Sequence, residues 1–240
     1  MTQIASLLTA LALTLSWGLG FPQEGKSPVG SVSAEYLKQY GAAYMGDPNE
    51  KVVYLTFDAG YENGQTASIL DTLREKDVKA AFFIVGHYID SQPELLRRIA
   101  AEGHTVGNHT VHHPDMSKMS DPAAFQKELD DLAGMYQKVT GAEMSKIYRP
   151  PSGKFSEHNL KTAQKLGYKT LLWSLAYVDW VKDKQPDPAR AIEKLTKRVH
   201  PGAVLLLHST SETNAKILGT LIDKYREMGY SFGTIDNIFS

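Results

Sequence analysis

Two imidazoles four residues apart, His109 and His113 in the run His109-Thr110-Val111-His112-His113, have the spacing that points most directly at chemistry. Side chains at i and i+4 share a face over one helical turn, so the pair could hold one metal ion. Pro114 disfavours helix at the residue before it, which predicts that the pair sits on a loop leaving a strand. Asp58 closes the apolar run Leu55-Thr56-Phe57 and runs into the glycine turn Ala59-Gly60-Tyr61-Glu62-Asn63-Gly64. A carboxylate there is available as a general base, and equally as a turn-former or helix cap. In Arg149-Pro150-Pro151-Ser152-Gly153 the prolines stiffen the chain, so the guanidinium could clamp a carboxylate bidentately, or the segment could be a plain turn. His208 follows Val204-Leu205-Leu206-Leu207 as a titratable ring beside an apolar strand, and such a ring is also common as a structural histidine.

The elements that must position these residues alternate in a regular way after Glu50. Short β-branched or aromatic runs are predicted as strands at 52–57, 80–85, 105–107, 147–149, 170–174, 203–207 and 231–235. Helical stretches separate them. Phe125, Leu129, Leu132, Tyr136 and Val139 form one apolar stripe, and Ile217, Leu218, Leu221, Ile222 and Tyr225 form another. Ser91 with Glu94 is predicted as a capping box ahead of a helix carrying Pro93 in its first turn, and Asp187 before Pro188 as a further N-cap. This alternation predicts a single α/β domain of parallel βα units, either a barrel or an open sheet. In such folds ligand sites gather at the carboxyl ends of the strands, which is where Asp58, His109, His113, Arg149, Asp179 and His208 all fall.

A chain of 240 residues with 42% hydrophobic content can bury one sizeable core. Twenty-six basic residues against 27 acidic ones, without blocks of like charge, leave no electrostatic footprint for nucleic acid or an anionic membrane. The absence of cysteine restricts any metal site to His and carboxylate ligands. Residues 4–15 are apolar and nearly uncharged, about the length of a signal-peptide core and short for a membrane span, so 1–20 is expected to be a signal or apolar N-terminal segment of an exported protein, with a buried strand or helix as the alternative. Residues 21–50 are expected to form an N-terminal arm with a short helix around 34–44, and 51–236 the catalytic domain.

Taken together, the segments around Asp58, His109 with His113, Arg149, Asp179 with Trp180, and His208 resemble the ordered motifs of the polysaccharide deacetylase, or NodB-homology, family. The resemblance implies a distorted (β/α) barrel of about seven βα units and a divalent metal, commonly zinc. It implies removal of N-acetyl groups from sugar polymers. It makes Asp58 the catalytic base, His109 and His113 metal ligands, Arg149 the residue that positions the base, and His208 the general acid kept protonated by Asp179. Trp180 would then wall the acetyl or sugar pocket, and the backbone N–H of Ser152 would face the oxyanion. Tyr61 and Lys154 complete the expected substrate contacts, Lys154 as the cation for an anionic sugar substituent. Asp58 and His208 are expected at the rim, where their replacement would spare the fold.

Two departures from the family pattern qualify this. Ala59 stands where a second aspartate usually ligates the metal, and Ser152 stands where an aromatic residue commonly follows the prolines. With two protein ligands the metal is expected to be weakly held, or completed by water, His87 or Asp58, and an aspartate restored at 59 to tighten it. The words Phe57-Asp58-Ala59-Gly60-Tyr61-Glu62-Asn63-Gly64, Phe82-Phe83-Ile84-Val85-Gly86-His87 and Trp173-Ser174-Leu175-Ala176-Tyr177-Val178-Asp179-Trp180 resemble the PdaA-type subgroup, which also lacks that aspartate. Its members deacetylate muramic acid in spore-cortex peptidoglycan on the way to muramic δ-lactam. The partner so implied is a peptidoglycan glycan strand met by a monomer. An N-acetylglucosamine or chitin-oligomer deacetylase and a carbohydrate-binding pseudoenzyme remain open on the residues alone.

Overall fold

A computed structural model of the protein describes residues 32–240, so the expectations for 1–20 and for the first part of the arm lie outside the described residues. The described arm begins with helix α1 (Ala34–Lys38), capped by the Ser33 side chain, and strand β1 (Ala42–Ala43). The central strand β2 (Val52–Ala59) follows, then α2 (Thr66–Glu75), β3 (Ala81–Ile84), α3 (Gly86–Ser91), α4 (Pro93–Ala101) and β4 (Thr105–Asn108). Next come α5 (Pro122–Thr140), β5 (Ile147–Tyr148), α6 (Glu157–Lys165), β6 (Lys169–Leu171) and β7 (Leu175–Ala176). The chain ends with α7 (Pro188–Arg198), β8 (Ala203–His208), α8 (Glu212–Glu227) and β9 (Ser231–Phe232).

The strands form one sheet in the order β1-β6-β5-β4-β3-β2-β8-β7, with β9 paired to the start of β2. Neighbours along this path run parallel, and the sheet curls into the distorted (β/α) barrel expected from the alternation of elements. Parallel strands are covered on both faces, which is why β2 is apolar at nearly every position without alternating. Val53, Leu55, Phe57 and Ala59 join the larger core cluster with the stripes of α2 and α8. Tyr54 packs on the opposite face with Phe83, Leu171 and Val204. Successive side chains alternate between faces, so Asp58 lies on the Tyr54 side.

All seven predicted strands are present, and two more were not foreseen, because β1 and β7 are two residues long and carry too little pattern to see. The predicted strand 170–174 divides for a physical reason. Leu172 N–H donates to Ala43 O on the β1 side, while Ser174 N–H donates to Val204 O on the β8 side, so residues 172–174 cross from one sheet edge to the other. The Asp187 cap is found, its carboxylate accepting from Arg190 N–H. The Ser91 and Glu94 capping box is not. Ser91 is the last residue of α3 and its hydroxyl donates to His87 O, so Gln92 stands at the N-cap of α4 and Pro93 starts that helix. Both predicted apolar stripes face the core, with Val139 partly buried. No helix among the described residues is long and apolar enough to cross a membrane.

One glycine is demanded by the packing. A Cβ on Gly107 in β4 would lie 2.5 Å from the Phe83 ring. That ring in turn carries the Arg149 guanidinium 4.0 Å above its centroid.

Candidate active site

Register brings the chemistry together. Asp58, next to last in β2, is the direct partner of His208, the last residue of β8, and on its other side β2 pairs with β3. Asn108 ends β4 opposite Tyr148 of β5, which sets His109 and Arg149 one step further along at the same rim. Residues expected just beyond strand ends thus include two, Asp58 and His208, that the ladders themselves hold.

Asp58 is nearly buried, and its two oxygens have different surroundings. Oδ1 accepts a 2.8 Å hydrogen bond from Arg149 Nη1, and Oδ2 faces His109 Nε2 at 3.4 Å. Burial alone would raise this carboxyl, but the charges of Arg149, His109 and His208 and the Arg149 hydrogen bond outweigh it and hold its pKa below the ordinary value. Arg149 is fully buried and contacts Asp58 through one nitrogen, so the clamp is not bidentate. Its Nε and Nη2 donate instead to Leu171 O and Leu172 O.

His109 and His113 are brought together by a loop rather than by a helical turn. Thr110 and His113 both take positive φ, 69° and 55°, and the Thr110 hydroxyl accepts from His113 N–H. The two rings end 4.8 Å apart. His112 turns away, its backbone N–H and ring both bonded to the Glu128 carboxylate. Burial drives the His109 pKa down to about 4, so the ring is neutral at neutral pH. Its Nδ1 lies 2.7 Å from Arg149 O, and a carbonyl can only accept, so Nδ1 carries the proton and Nε2 presents a lone pair.

His208 pairs with Asp179, which is fully buried. Nδ1 lies 2.7 Å from Asp179 Oδ1, and the backbone N–H of His208 donates to Oδ2 at 2.8 Å. Burial would lower the imidazole, but the charge and hydrogen bond of Asp179, with the charge of Asp58, outweigh it and raise the pKa. Asn214 of α8 adds a second layer that the sequence did not reveal. Its amide donates to Asp179 Oδ2 at 2.6 Å and to His208 O, and its carbonyl accepts from the Tyr177 hydroxyl. In the sequence Asn214 looks like an ordinary first-turn residue after the N-cap Ser211, and nothing local betrays the partner 35 residues away.

These groups open into a cavity of about 770 Å³, whose lining includes Asp58, His109, His113, Tyr61, Ser152 and His208. Trp180 lines it with its ring 5.2 Å from that of His208, and Ser152 holds a positive φ of 54°. Two expectations are not met. Lys154 is outside the lining, exposed, with its ammonium 3.3 Å from Asp115. His87 is exposed on α3 and does not line the cavity, so it is no third metal ligand. Ala59, where the resemblance expects an aspartate ligand, is fully buried and joins the larger core cluster. Lys194 and Arg198 of α7, by contrast, line the cavity without any motif to mark them.

No group of three His, Cys, Asp or Glu side chains among the described residues forms a ready metal cage. The donor chemistry nevertheless fits a divalent cation. His109 is neutral, oriented through its Nδ1 by a carbonyl, beside a second imidazole and the free Oδ2 of Asp58. An ionised carboxylate, the neutral His109 imidazole and the His208 imidazole, whose protonated form is favoured, around one cavity suit hydrolysis by proton transfer in both directions.

Comparison with known proteins agrees with this chemistry. Residues 45–171 match the family model described as polysaccharide deacetylase. The chain is 40% identical to the peptidoglycan-N-acetylmuramic acid deacetylase PdaA of Bacillus subtilis over 93% of this chain and 85% of that protein. The solved structure of PdaA, a family 4 carbohydrate esterase, superposes with a TM-score of 0.86 at 40% identity, covering 92% of this chain and 95% of PdaA. A peptidoglycan-N-acetylglucosamine deacetylase of Bacillus cereus is 31% identical over 85% of this chain and 74% of that one. A family 4 pseudoenzyme from Bacillus anthracis, 29% identical, superposes with a TM-score of 0.76 over 83% of this chain and 69% of its own. Motifs, fold and these relatives agree, and the chain belongs to the polysaccharide deacetylase family.

Proposed function

We propose that this protein is a metal-assisted peptidoglycan de-N-acetylase whose target is N-acetylmuramic acid lacking its peptide stem. The observation that carries the chemistry is the pairing of two opposed carboxylate systems across β2 and β8. Arg149 holds Asp58 ionised, while Asp179 holds His208 protonated, at the rim that also carries His109 and His113. The muramic acid preference draws on PdaA, whose name states that substrate, and on the resemblance of the word around Asp58 to the PdaA-type subgroup. We infer the same context for this chain: export to the peptidoglycan layer and a part in forming muramic δ-lactam in the spore cortex.

In this reading His109 and His113 would hold the divalent ion, beside the Asp58 Oδ2 that stays available as the base. When bound, the ion, commonly zinc in this family, supplies a Lewis acid for the acetamide carbonyl and lowers the pKa of water in the site. Asp58 takes the proton of the attacking water on Oδ2, because Oδ1 is committed to Arg149. The strained turn at Ser152 presents its backbone N–H to the developing oxyanion, a contact of a kind worth roughly 3 kcal/mol elsewhere. His208, aimed from Nδ1 by Asp179, donates its Nε2 proton to the departing amine. Trp180 and Tyr61 offer apolar surface to the acetyl group and sugar.

Mass spectrometry of glycan strands with and without peptide stems tests this. Loss of acetyl groups from stem-free muramic acid is expected. Loss from N-acetylglucosamine alone would favour the chemistry named for the Bacillus cereus relative. No loss from any strand in the presence of zinc would mark a pseudoenzyme, as the Bacillus anthracis relative is described.

A further inference from the structure

We propose that Lys194, backed by Arg198 one turn later on α7, forms a subsite that binds a carboxylate carried by the amino sugar. The inference rests on the proposed deacetylation and names which feature of the sugar the cavity recognises.

The argument starts from the charge on the cavity wall. Asp58 is the only Asp or Glu in the lining among the described residues, and the Arg149 guanidinium 2.8 Å behind it offsets its charge. Lys194 and Arg198 both stand on this wall, and Lys194 brings to it a positive charge that no lining carboxylate answers among the described residues. Spaced i and i+4, they present their side chains on one face of α7, next to the wall built by Ala176, Tyr177 and Val178. Arg198 is fixed in place, its Nη1 donating to Ala176 O at 3.0 Å. Lys194 is exposed and makes no ion pair among the described residues, whereas its neighbour Lys197 is 2.6 Å from Glu193. Its ammonium can swing to a ligand at little cost.

The ligand chemistry follows from the position. The reacting acetamide must lie by Asp58 and His208, so a carboxylate reaching α7 belongs to the same or the adjoining sugar. An ether-linked carboxylic acid on the amino sugar, such as a lactyl group freed of its peptide, supplies that anion. The carboxylates of an intact peptide stem share the chemistry and are separated by the test. Lys154, salt-bridged to Asp115 outside the cavity, is not the reader.

The test uses the full chain loaded with zinc and three substrates: stem-free strands with the free lactyl acid, the same strands with the lactyl group as its primary amide, and stem-bearing strands. Wild-type protein is expected to favour the acid over both others. Lys194→Gln is expected to lose about five- to tenfold in kcat/KM on the acid, and at least fivefold more there than on the amide. Lys197→Gln, outside the cavity on the same helix, serves as the control and should match wild type on all three. Calorimetric binding of N-acetylmuramic acid and its lactyl amide makes the same comparison without turnover, and thermal melting shows whether each variant is folded. Equal losses on acid and amide, or an undiminished preference for the acid in Lys194→Gln, would overturn the subsite. Wild type treating acid and amide alike would overturn it as well while leaving the deacetylase reading intact. Binding that discriminates without any turnover would uphold the subsite and sink the deacetylase instead.

Discussion

Asp58 and Asp179 show how one residue type takes two parts in a single site. Asp58 faces the cavity with one oxygen committed and one available, whereas Asp179 has both oxygens bonded and no exposure. Asp58→Asn and His208→Ala are each expected to reduce turnover by at least 10²-fold, as measured by acetate release. The sequence suggested that the fold would not feel either change. The structure corrects this for Asp58, because neutralising it strands a fully buried guanidinium, and chemical denaturation of Asp58→Asn should show a loss of about 3 kcal/mol. The pH profile follows from the shifts. Activity needs Asp58 ionised and His208 protonated, so the acid limb should lie below the ordinary carboxylate range and the alkaline limb above 6.5. Asp179→Asn removes the largest contribution that raises His208 and leaves its burial, so the alkaline limb should move to lower pH. The stability linkage has the same signs. The Asp58 contribution is lost as pH falls through its depressed pKa, and that of His208 as pH rises through its raised one. At this scale the motif residues were legible because chemistry restricts their type. Asn214, Tyr177 and Lys194 were not, since their roles come from partners distant in the chain.

Among the elements, β2 to β5 and β8 were readable from β-branched and aromatic runs, and their register does most of the work of assembly. Boundaries were less legible. A capping-box pattern at Ser91 was overridden because α3, which packs against α4 and α5, extends through it. Gly107 shows how an element transmits to the site without entering it. A methyl group there must displace the Phe83 ring, on which Arg149 rests, and Arg149 holds Asp58. Gly107→Ala should therefore cost about 1–3 kcal/mol in denaturant unfolding through overpacking. It should also lower kcat more than KM worsens, since it displaces the support of the base rather than a substrate contact.

Over the whole molecule, the curled sheet gathers onto one rim side chains from segments 150 residues apart. Parallel topology predicted which end of the barrel would carry the site, but not the shape of its cavity, because α7 enters the wall through packing that leaves no local pattern. With no described third protein ligand besides Asp58, bound metal should exchange readily. Dialysis against a chelator is expected to abolish activity, and added zinc to restore it, with elemental analysis following occupancy in parallel.

The crossing at residues 172–174 ties the two sheet edges together, and Arg149 bonds to the carbonyls of Leu171 and Leu172 at its start. The arginine that orients Asp58 is thus also a clasp on the junction that completes the barrel. Partial opening there, well short of global unfolding, would release Leu172 and Ser174 N–H to solvent and disarm the carboxylate in the same event. On warming, hydrogen exchange at those two amides should accelerate in step with the fall in activity, while the amides of β2 and β3 stay protected; activity that persists after those amides exchange freely would uncouple the junction from the base.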